Sequence, residues 1–200
     1  IGILTYKKTG NYFQQKLENS DWIKPTFVSI EENQSNPSIG SFDLMIVCLG
    51  ETRFADLLEI NAKLLDNRIP NLFILPDKEE LTISAINIAG KSACLGCILK
   101  GIFNLGEEEY RKVLGNFRTS ALLNENNEPL NYFNKIWELI FQKITHFFKI
   151  SNEEPKSYLK TTVAYTKKPH ITTNHFLFPR FENCHCESIE EQKIFNIERM

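Results

Sequence analysis

The amino-acid sequence predicts an α/β fold, a Rossmann-like and mostly parallel sheet flanked by helices. Two observations predict this fold class. Short apolar segments alternate with segments of helical periodicity through the first half of the chain, the order that builds doubly wound sheets with right-handed crossovers. Two apolar segments, residues 42–49 and 71–75, are continuous, which is typical of strands buried on both faces. The chain has 200 residues, 42% of them hydrophobic, and can therefore bury one sizeable core.

The first half of the chain contains four predicted strands and two predicted helices. Tyr12, Phe13 and Leu17 have helical spacing, as do the leucines and the isoleucine of residues 54–65. Residues 33–40 are rich in Ser, Asn, Pro and Gly, which predicts a loop. The predicted strands cover residues 1–6, 25–30, 42–49 and 71–75.

The second half has a different pattern. Apolar residues alternate in part over residues 81–88, and two β-prone segments around Lys167, Lys168 and Pro169 predict an antiparallel ribbon over residues 158–165 and 171–178. Helices are predicted over residues 95–103 and 107–114 and within residues 130–150. The apolar stripe of the last helix consists of Phe133, Ile136, Trp137, Ile140, Phe141, Ile144 and Phe148.

Charge and composition argue against nucleic-acid binding and against a membrane span. The net charge of −2 and the dispersed lysines give no basic footprint, so nucleic acid is not an expected partner. Polar side chains interrupt the apolar residues 130–150, so no membrane span is expected. No charged and apolar export signal is visible, and the five cysteines are an odd number that suits free thiols in a reducing compartment. The expected location is the cytoplasm.

Four of the five cysteines form two close pairs that predict a zinc site. Cys94 and Cys97 form a CxxC knuckle, a spacing that lets two thiolates face one tetrahedral ion. Cys184 and Cys186 form a CxC pair after the predicted ribbon, which could return them to the knuckle. Four thiolates would make a closed structural site. The expected organisation is thus a Rossmann-like core, residues 1–90, and a zinc-tethered C-terminal part of the same domain, residues 91–200.

Other interpretations of these thiols stay open at this point. A thioredoxin-type pair would follow the first strand directly and usually holds a proline between its cysteines, and Cys94 and Cys97 meet neither condition. The pairs could also be unrelated cysteines, and His185 could replace one thiol as a ligand. Cys48 lies inside an apolar strand and is best interpreted as a small core residue.

The usual catalytic signatures are missing from the sequence. Only Gly10 stands in the first strand-to-helix turn, where an adenylating Rossmann enzyme needs several glycines to approach phosphates. Lys7 and Lys8 could meet an anion there but are more simply solvated, and residues 107–109 are most simply an acidic helix start. Residues 51–53 follow a buried strand at the carboxyl end of the sheet and form the one candidate ligand pocket.

The cysteine element resembles a known family. Residues 89–99, Ala-Gly-Lys-Ser-Ala-Cys-Leu-Gly-Cys-Ile-Leu, resemble the PG-x-[ST]-[AP]-C-L-x-C-L element of ThiF-like cyclodehydratase C proteins, which work beside YcaO enzymes. Residues 42–48 resemble the "aDLVIV" strand of that family, and residues 178–184 resemble its "hP-x-C-P-x-C" ending. Ala89 stands where the family has Pro. A CxxC followed by a late CxC is similar to the arrangement in the zinc-bearing B subunit of microcin-type azole synthetases.

The resemblance implies a non-catalytic scaffold subunit of a YcaO-dependent peptide cyclodehydratase, which forms thiazolines or oxazolines in a ribosomally made peptide. Such a subunit helps to present the leader of the precursor peptide and activates its YcaO-type partner, which phosphorylates the peptide amide with ATP. The resemblance also implies a flavin dehydrogenase and a second copy of the chain as partners. Two other functions stay open, an active ATP-dependent adenylating enzyme of the ThiF type and a zinc-stabilised protein-interaction module.

Overall fold

A computed structural model confirms the predicted α/β fold class, with one sheet covered by helices on both faces. No helix among the described residues is long and apolar enough to cross a membrane. The structure describes residues 1–5, 13–17, 23–29, 41–77, 80–103, 119, 133–149, 159–165, 172–181, 184 and 186. The predicted loop at residues 33–40 and the predicted helix at residues 107–114 lie outside these segments.

The sheet has seven strands in the order β2-β1-β3-β4-β5-β6-β7. The four helical segments are α1 (residues 13–17), α2 (Phe54–Asp66), α3 (Leu95–Phe103) and α4 (Phe133–Phe148). The strands are β1 (Gly2–Thr5), β2 (Thr26–Ser29), β3 (Met45–Cys48), β4 (Asn71–Pro76), β5 (Glu80–Ile83), β6 (Thr161–Tyr165) and β7 (Thr172–Phe176).

The first four strands form the parallel half of the sheet, and the sequence predicts all four. β1 pairs in parallel with β2 and β3, and β3 pairs in parallel with β4. β1, β3 and β4 are buried at every position, which is why their sequences are continuous apolar runs. α2 begins where Arg53 pairs with Asp56 in its first turn, and an acidic side chain there suits the positive end of the helix dipole.

The last three strands form the antiparallel half of the sheet. β4 and β5 pair antiparallel because only residues 77–79 join them, and the Asp77 N–H donates to the Glu80 carbonyl across this tight connection (2.8 Å). A parallel pairing would need a crossover of about a dozen residues. The predicted antiparallel ribbon is confirmed as β6 and β7, and β6 also pairs with β5, so the ribbon extends the main sheet.

Alternate side chains of the strands supply two apolar layers. On the α1/α4 face, Ile46 and Leu72 pack with Phe13 and Ile140, among others. On the α2/α3 face, Val47 and Phe73 lie in a second cluster with leucines of α2 and α3. A third cluster surrounds the thiols of Cys94 and Cys97 and includes Leu65, Ala85, Ile98 and Cys186.

The amphipathic helix α4 is confirmed, with two departures from its predicted stripe. Trp137, Ile140 and Ile144 are buried against the sheet as predicted. Phe148 is 39% exposed at the end of the helix, and Lys143 is buried between the apolar turns although its side chain carries a charge. The side chains of Phe133 and Ile136 lie outside the described part of the chain. The division of the domain at residue 90 stays a prediction.

Candidate metal centre

The CxxC knuckle lies where a loop held by hydrogen bonds leads into α3. Gly90 adopts a left-handed backbone conformation with φ of 72°, which suits a residue without Cβ. The Ser92 hydroxyl then donates to the Ile86 carbonyl (3.0 Å) and accepts from the Ile88 N–H (2.7 Å). The Cys94 carbonyl accepts from the Ile98 N–H (3.0 Å), so Cys94 sits immediately before the helix and Cys97 in its first turn. The loop thereby fixes both thiols on one side of α3.

Buried asparagines support the start of α3. The Leu95 N–H, which has no acceptor within the helix because it lies in the first turn, donates to Asn61 Oδ1 (3.4 Å). The same oxygen lies 3.4 Å from Asn87 Nδ2, which also donates to Asn71 Oδ1 (2.6 Å). All three asparagines are buried. This asparagine cluster links α2, β4 and the loop to the residue that follows Cys94.

Three contacts bring the segment after β7 onto α3. The Phe178 ring lies against Gly101, where an added Cβ would stand 2.4 Å from ring carbon Cδ1. Arg180 Nη1 donates to the Gly90 carbonyl (2.7 Å), and the Phe181 N–H donates to Cys97 Sγ (3.3 Å). Together these protein contacts place Cys184 and Cys186 beside the knuckle.

The structure brings all four predicted thiols together. The Sγ atoms of Cys94, Cys97, Cys184 and Cys186 lie within 4.8 Å of one another. The distances are 3.3 Å from Cys94 to Cys184, 3.6 Å from Cys97 to Cys186 and 3.9 Å from Cys94 to Cys97. Four sulfurs about 2.3 Å from a tetrahedral ion would be about 3.8 Å apart. All four cysteines are free, so the cluster has the ligand number and spacing of a metal site.

The cluster is buried and electrostatically coupled. Cys94, Cys97 and Cys186 are at most 1% exposed. Hydrogen bonds from the Cys186, Cys94 and Cys97 thiols lower the pKa of Cys184, and the bond to Cys184 raises the pKa of Cys94. Neighbouring S–H groups thus favour the thiolate form at Cys184, while four thiolates this close together in a largely buried site would repel one another without a cation. A bound cation would compensate that charge.

The fifth cysteine behaves as the sequence predicts. Cys48 is fully buried in the α1/α4-face cluster, and burial raises the pKa of its thiol well above the ordinary range. It belongs to β3 and takes no part in the thiol cluster. Cys48 is therefore a core residue.

The turn after β3 holds the predicted ligand-pocket residues. Thr52 is buried, and its N–H donates to Thr119 Oγ1 (3.1 Å), which itself donates to the Leu49 carbonyl (2.8 Å). Glu51 is exposed in a left-handed conformation with φ of 56°, and the Arg53 guanidinium pairs with Asp56 (2.6 Å). Thr119 thus packs into the turn, and the charged side chains point to solvent or to each other.

Several sequence candidates lie outside the described part of the chain. These are Lys7, Lys8, Gly10, His185 and the acidic residues 107–109. Their predicted roles therefore stay predictions.

One group of polar residues was not predicted from the sequence and lines a cavity between α4 and the last two strands. Lys143 and His146 of α4 share this cavity with Thr162 of β6 and His175 of β7. A charged residue in the apolar stripe of α4, between Ile140 and Ile144, was the one signal in the sequence that could have indicated it.

The fold is shared with components of microcin synthetases and heterocyclases. One chain of the E. coli microcin synthetase McbBCD complex matches with a TM-score of 0.62 and 11% identity, over 92% of this chain and 66% of that chain. A heterocyclase in complex with substrate and cofactor matches with a TM-score of 0.58 and 13% identity, over 88% of this chain and 24% of the heterocyclase.

A third solved structure shares the fold. The microcin C7 biosynthetic enzyme MccB in complex with N-formylated MccA matches with a TM-score of 0.57 and 12% identity, over 90% of this chain and 51% of MccB. The chain thus spans from about a quarter to about two thirds of the proteins that it matches. No protein-family model and no curated protein matches the chain.

Proposed function

We propose that the chain is the non-catalytic, ThiF-like scaffold subunit of a YcaO-dependent peptide cyclodehydratase. The observation that carries this proposal is the thiol cluster. Its two halves come from the two sequence elements that resemble cyclodehydratase C proteins, and the surrounding fold is shared with a chain of a microcin synthetase complex and with a heterocyclase. The sequence resemblance points to azoline formation in a peptide, and the fold similarity to a microcin synthetase chain and to a heterocyclase is consistent with it.

The cluster would hold zinc through Cys94, Cys97, Cys184 and Cys186. Four thiolates suit zinc: three of their separations are 3.3, 3.6 and 3.9 Å and all lie within 4.8 Å, close to the spacing of about 3.8 Å that a tetrahedral zinc–thiolate site needs. The Phe181 N–H that reaches Cys97 Sγ would help to stabilise the sulfur charge. When bound, the ion would supply folding free energy, because four protein ligands leave no open coordination position.

The position of the cluster supports the proposed scaffold role. The thiols lie between α3 and the segment after β7, with three of the four buried, so the ion would join that segment to α3. Phe176 and Leu177, which directly precede that segment, are 39% and 73% exposed. Exposed apolar side chains beside a rigid metal centre suit a partner-docking surface. The partner that we propose is the YcaO-type subunit, with the precursor leader presented to it in the cytoplasm.

The second candidate is an active ATP-dependent adenylating enzyme of the ThiF type. The similarity to MccB, a microcin C7 biosynthetic enzyme, favours it. The glycine-poor turn around Gly10 opposes it, because phosphates need close approach to backbone N–H groups at a helix start.

The deciding experiment compares the isolated chain with the reconstituted complex. We expect the isolated, zinc-loaded chain to show no ATP hydrolysis and no ATP–pyrophosphate exchange. Addition of a YcaO-type partner and a Cys-, Ser- or Thr-rich precursor should yield ATP-dependent loss of water from the peptide, measured by mass spectrometry. Pyrophosphate exchange by the chain alone would instead identify the adenylating enzyme. Stoichiometric zinc with no stimulation of any YcaO partner would favour a zinc-stabilised interaction module.

A further inference from the structure

A cavity of about 250 Å³ opens between α4 and the strands β6 and β7. It lies on the α1/α4 face of the sheet, whereas the thiol cluster lies beside α3 on the opposite face. Lys143 and Thr162 are buried at its base, and Lys160, His146 and His175 are exposed at its rim. Leu139 and Gln142 complete the lining. The cavity therefore has a polar base and a cationic entrance.

The charge of this lining differs from that of the whole chain. The chain has 23 basic and 25 acidic residues and a net charge of −2. The cavity is lined by two lysines and two histidines, and within the described residues its lining contains no Asp or Glu. The two lysines thus place positive charge at one concave site of a slightly acidic protein, which is the electrostatic condition for attracting an anion.

The buried Lys143 also favours anion binding in this cavity. Lys143 is 5% exposed, and its Nζ donates to the backbone carbonyl of Lys160 at the start of β6. Burial and the nearby Lys160 ammonium lower the pKa of Lys143 to about 8. Two ammonium groups held close together beside apolar α4 side chains each disfavour the charged form of the other. An anion in the cavity would therefore interact favourably with both.

The remaining donors narrow the class of anion. Thr162 Oγ1 and His175 Nδ1 are hydrogen-bonded across the β6/β7 pair (3.0 Å), and Gln142 adds an amide. The set of lysine, imidazole, hydroxyl and amide contains no arginine, which would bind a carboxylate or a phosphate through two parallel bonds, so each group here offers single contacts, and lysine binds phosphate in this way. Several single donors around a compact space suit the tetrahedral oxygens of phosphate.

We propose that this cavity binds a phosphate group, with Lys143 and Lys160 as its principal cationic contacts. At about 30 Å³ per water, a space of about 250 Å³ accommodates a phosphate with part of its hydration, whereas drug-sized ligands occupy larger pockets. The phosphate is either free inorganic phosphate or the end of a nucleotide whose remainder lies outside the cavity. This inference does not depend on the proposed scaffold role.

The test is titration of the zinc-loaded full chain with inorganic phosphate by calorimetry, at constant ionic strength and neutral pH. Lys160→Gln removes an exposed charge from the rim and should leave the fold intact. We expect it to weaken phosphate binding about tenfold, the effect of losing one charge-assisted contact. Lys91→Gln, an exposed lysine outside the lining, is the charge-matched control and should bind as the unmodified chain does. Lys143→Met should abolish binding.

Parallel titrations with ATP and acetate distinguish a nucleotide phosphate from free phosphate, and a phosphate from a carboxylate. If ATP binds more tightly than phosphate, and if Lys160→Gln weakens the ATP affinity by the same factor as the phosphate affinity, the ligand is a nucleotide phosphate. Binding of inorganic phosphate alone identifies free phosphate. The proposal is overturned if acetate binds as well as phosphate, if phosphate does not bind, or if Lys160→Gln and Lys91→Gln bind equally. None of these outcomes involves the partner enzyme, so they leave the proposed scaffold role separately testable.

Discussion

The parallel and antiparallel halves of the sheet are stabilised in different ways. β3 and β4 of the parallel half are buried at all positions between two layers of helices. β7 of the antiparallel half is exposed at all five positions. Burial of apolar surface contributes roughly 25 cal/mol per Å², so the parallel half has a large driving force that the edge of the antiparallel half lacks. The edge of the antiparallel half and the segment after β7 therefore depend on specific contacts.

Those contacts are concentrated at the thiol cluster. The segment after β7 is held by a ring against Gly101, by Arg180 on the Gly90 carbonyl and by the sulfurs of Cys184 and Cys186. A metal ion there would act as a cross-link between the exposed edge and α3.

The largest effect is expected from Cys94→Ala. Removing one of four ligands should abolish stoichiometric zinc binding and unfold the antiparallel half first, because the free energy of structural zinc binding is folding free energy. A domain has only about 5–15 kcal/mol of stability, so the loss should be a large part of the total. Hydrogen exchange should show loss of protection in β6, β7 and α3 while β3 and β4 stay protected. On the proposed function, cyclodehydration by the assembled complex should also be lost.

Chelation of the unmodified protein should reproduce the exchange pattern of Cys94→Ala. Metal analysis provides the check. A Cys94→Ala protein that retains one zinc per chain, its melting temperature and full activity with its partner would contradict both the metal site and its role.

Gly101→Ala is expected to have the next largest effect. The new methyl group would meet the Phe178 ring at 2.4 Å, so either the ring or α3 must move. Overpacking of this kind costs about 1–3 kcal/mol, although alanine is the better helix former. Denaturant unfolding should show the loss, together with weaker zinc binding.

A double variant isolates the contact. Phe178→Ala removes the ring, and Gly101→Ala should then cost nothing further in that background. An additive cost in the double variant would mean that Gly101 acts through something other than the Phe178 contact.

The sequence allowed prediction of features that depend on local pattern. The continuous apolar runs of β3 and β4 reflect burial on both faces, and the two cysteine spacings reflect tetrahedral geometry. These features needed no knowledge of long-range contacts. The fold class and the two cysteine pairs therefore follow from local sequence, whereas the approach of one pair to the other is a long-range contact.

Features that depend on distant pairing could not be derived. That β6 pairs with β5, so that the ribbon joins the main sheet, is decided between segments far apart in sequence. The approach of Phe178 to Gly101 has the same origin. The predicted list of apolar stripe residues omits Lys143, although this residue follows Ile140 by three positions and so lies on the same face of α4. Its hydrogen bond to the Lys160 carbonyl lets it lie buried there.

Asn61→Ala tests the support of the knuckle from the parallel half. The substitution removes the oxygen that faces the Leu95 N–H and Asn87 Nδ2, leaving buried donors with fewer acceptors. We expect a loss of about 1–2 kcal/mol in unfolding free energy and zinc affinity about tenfold weaker, as for other residues that orient metal ligands indirectly. Competition with a chromophoric chelator measures the affinity.

Asn67→Ala is the matched control on the same helix. Asn67 is exposed and its amide donates to the Lys63 carbonyl at the end of α2, so its loss should leave zinc affinity unchanged. Equal zinc affinities for the two variants would show that Asn61 has no positioning role.

Cys48→Ala should have the smallest effect. It is the same substitution as Cys94→Ala, made in the parallel half of the sheet, so the two variants can be compared directly. The thiol lies fully buried in β3, packed among apolar side chains and away from the four clustered sulfurs. Its removal therefore costs only packing, and the typical destabilisation for a single substitution is about 1 kcal/mol. Zinc content, measured by metal analysis, should stay at that of the unmodified chain, and exchange protection in β6 and β7 should not change. Loss of the metal in Cys48→Ala, with retention in Cys94→Ala, would place the ion elsewhere and remove the reason for treating the edge of the antiparallel half as metal-dependent.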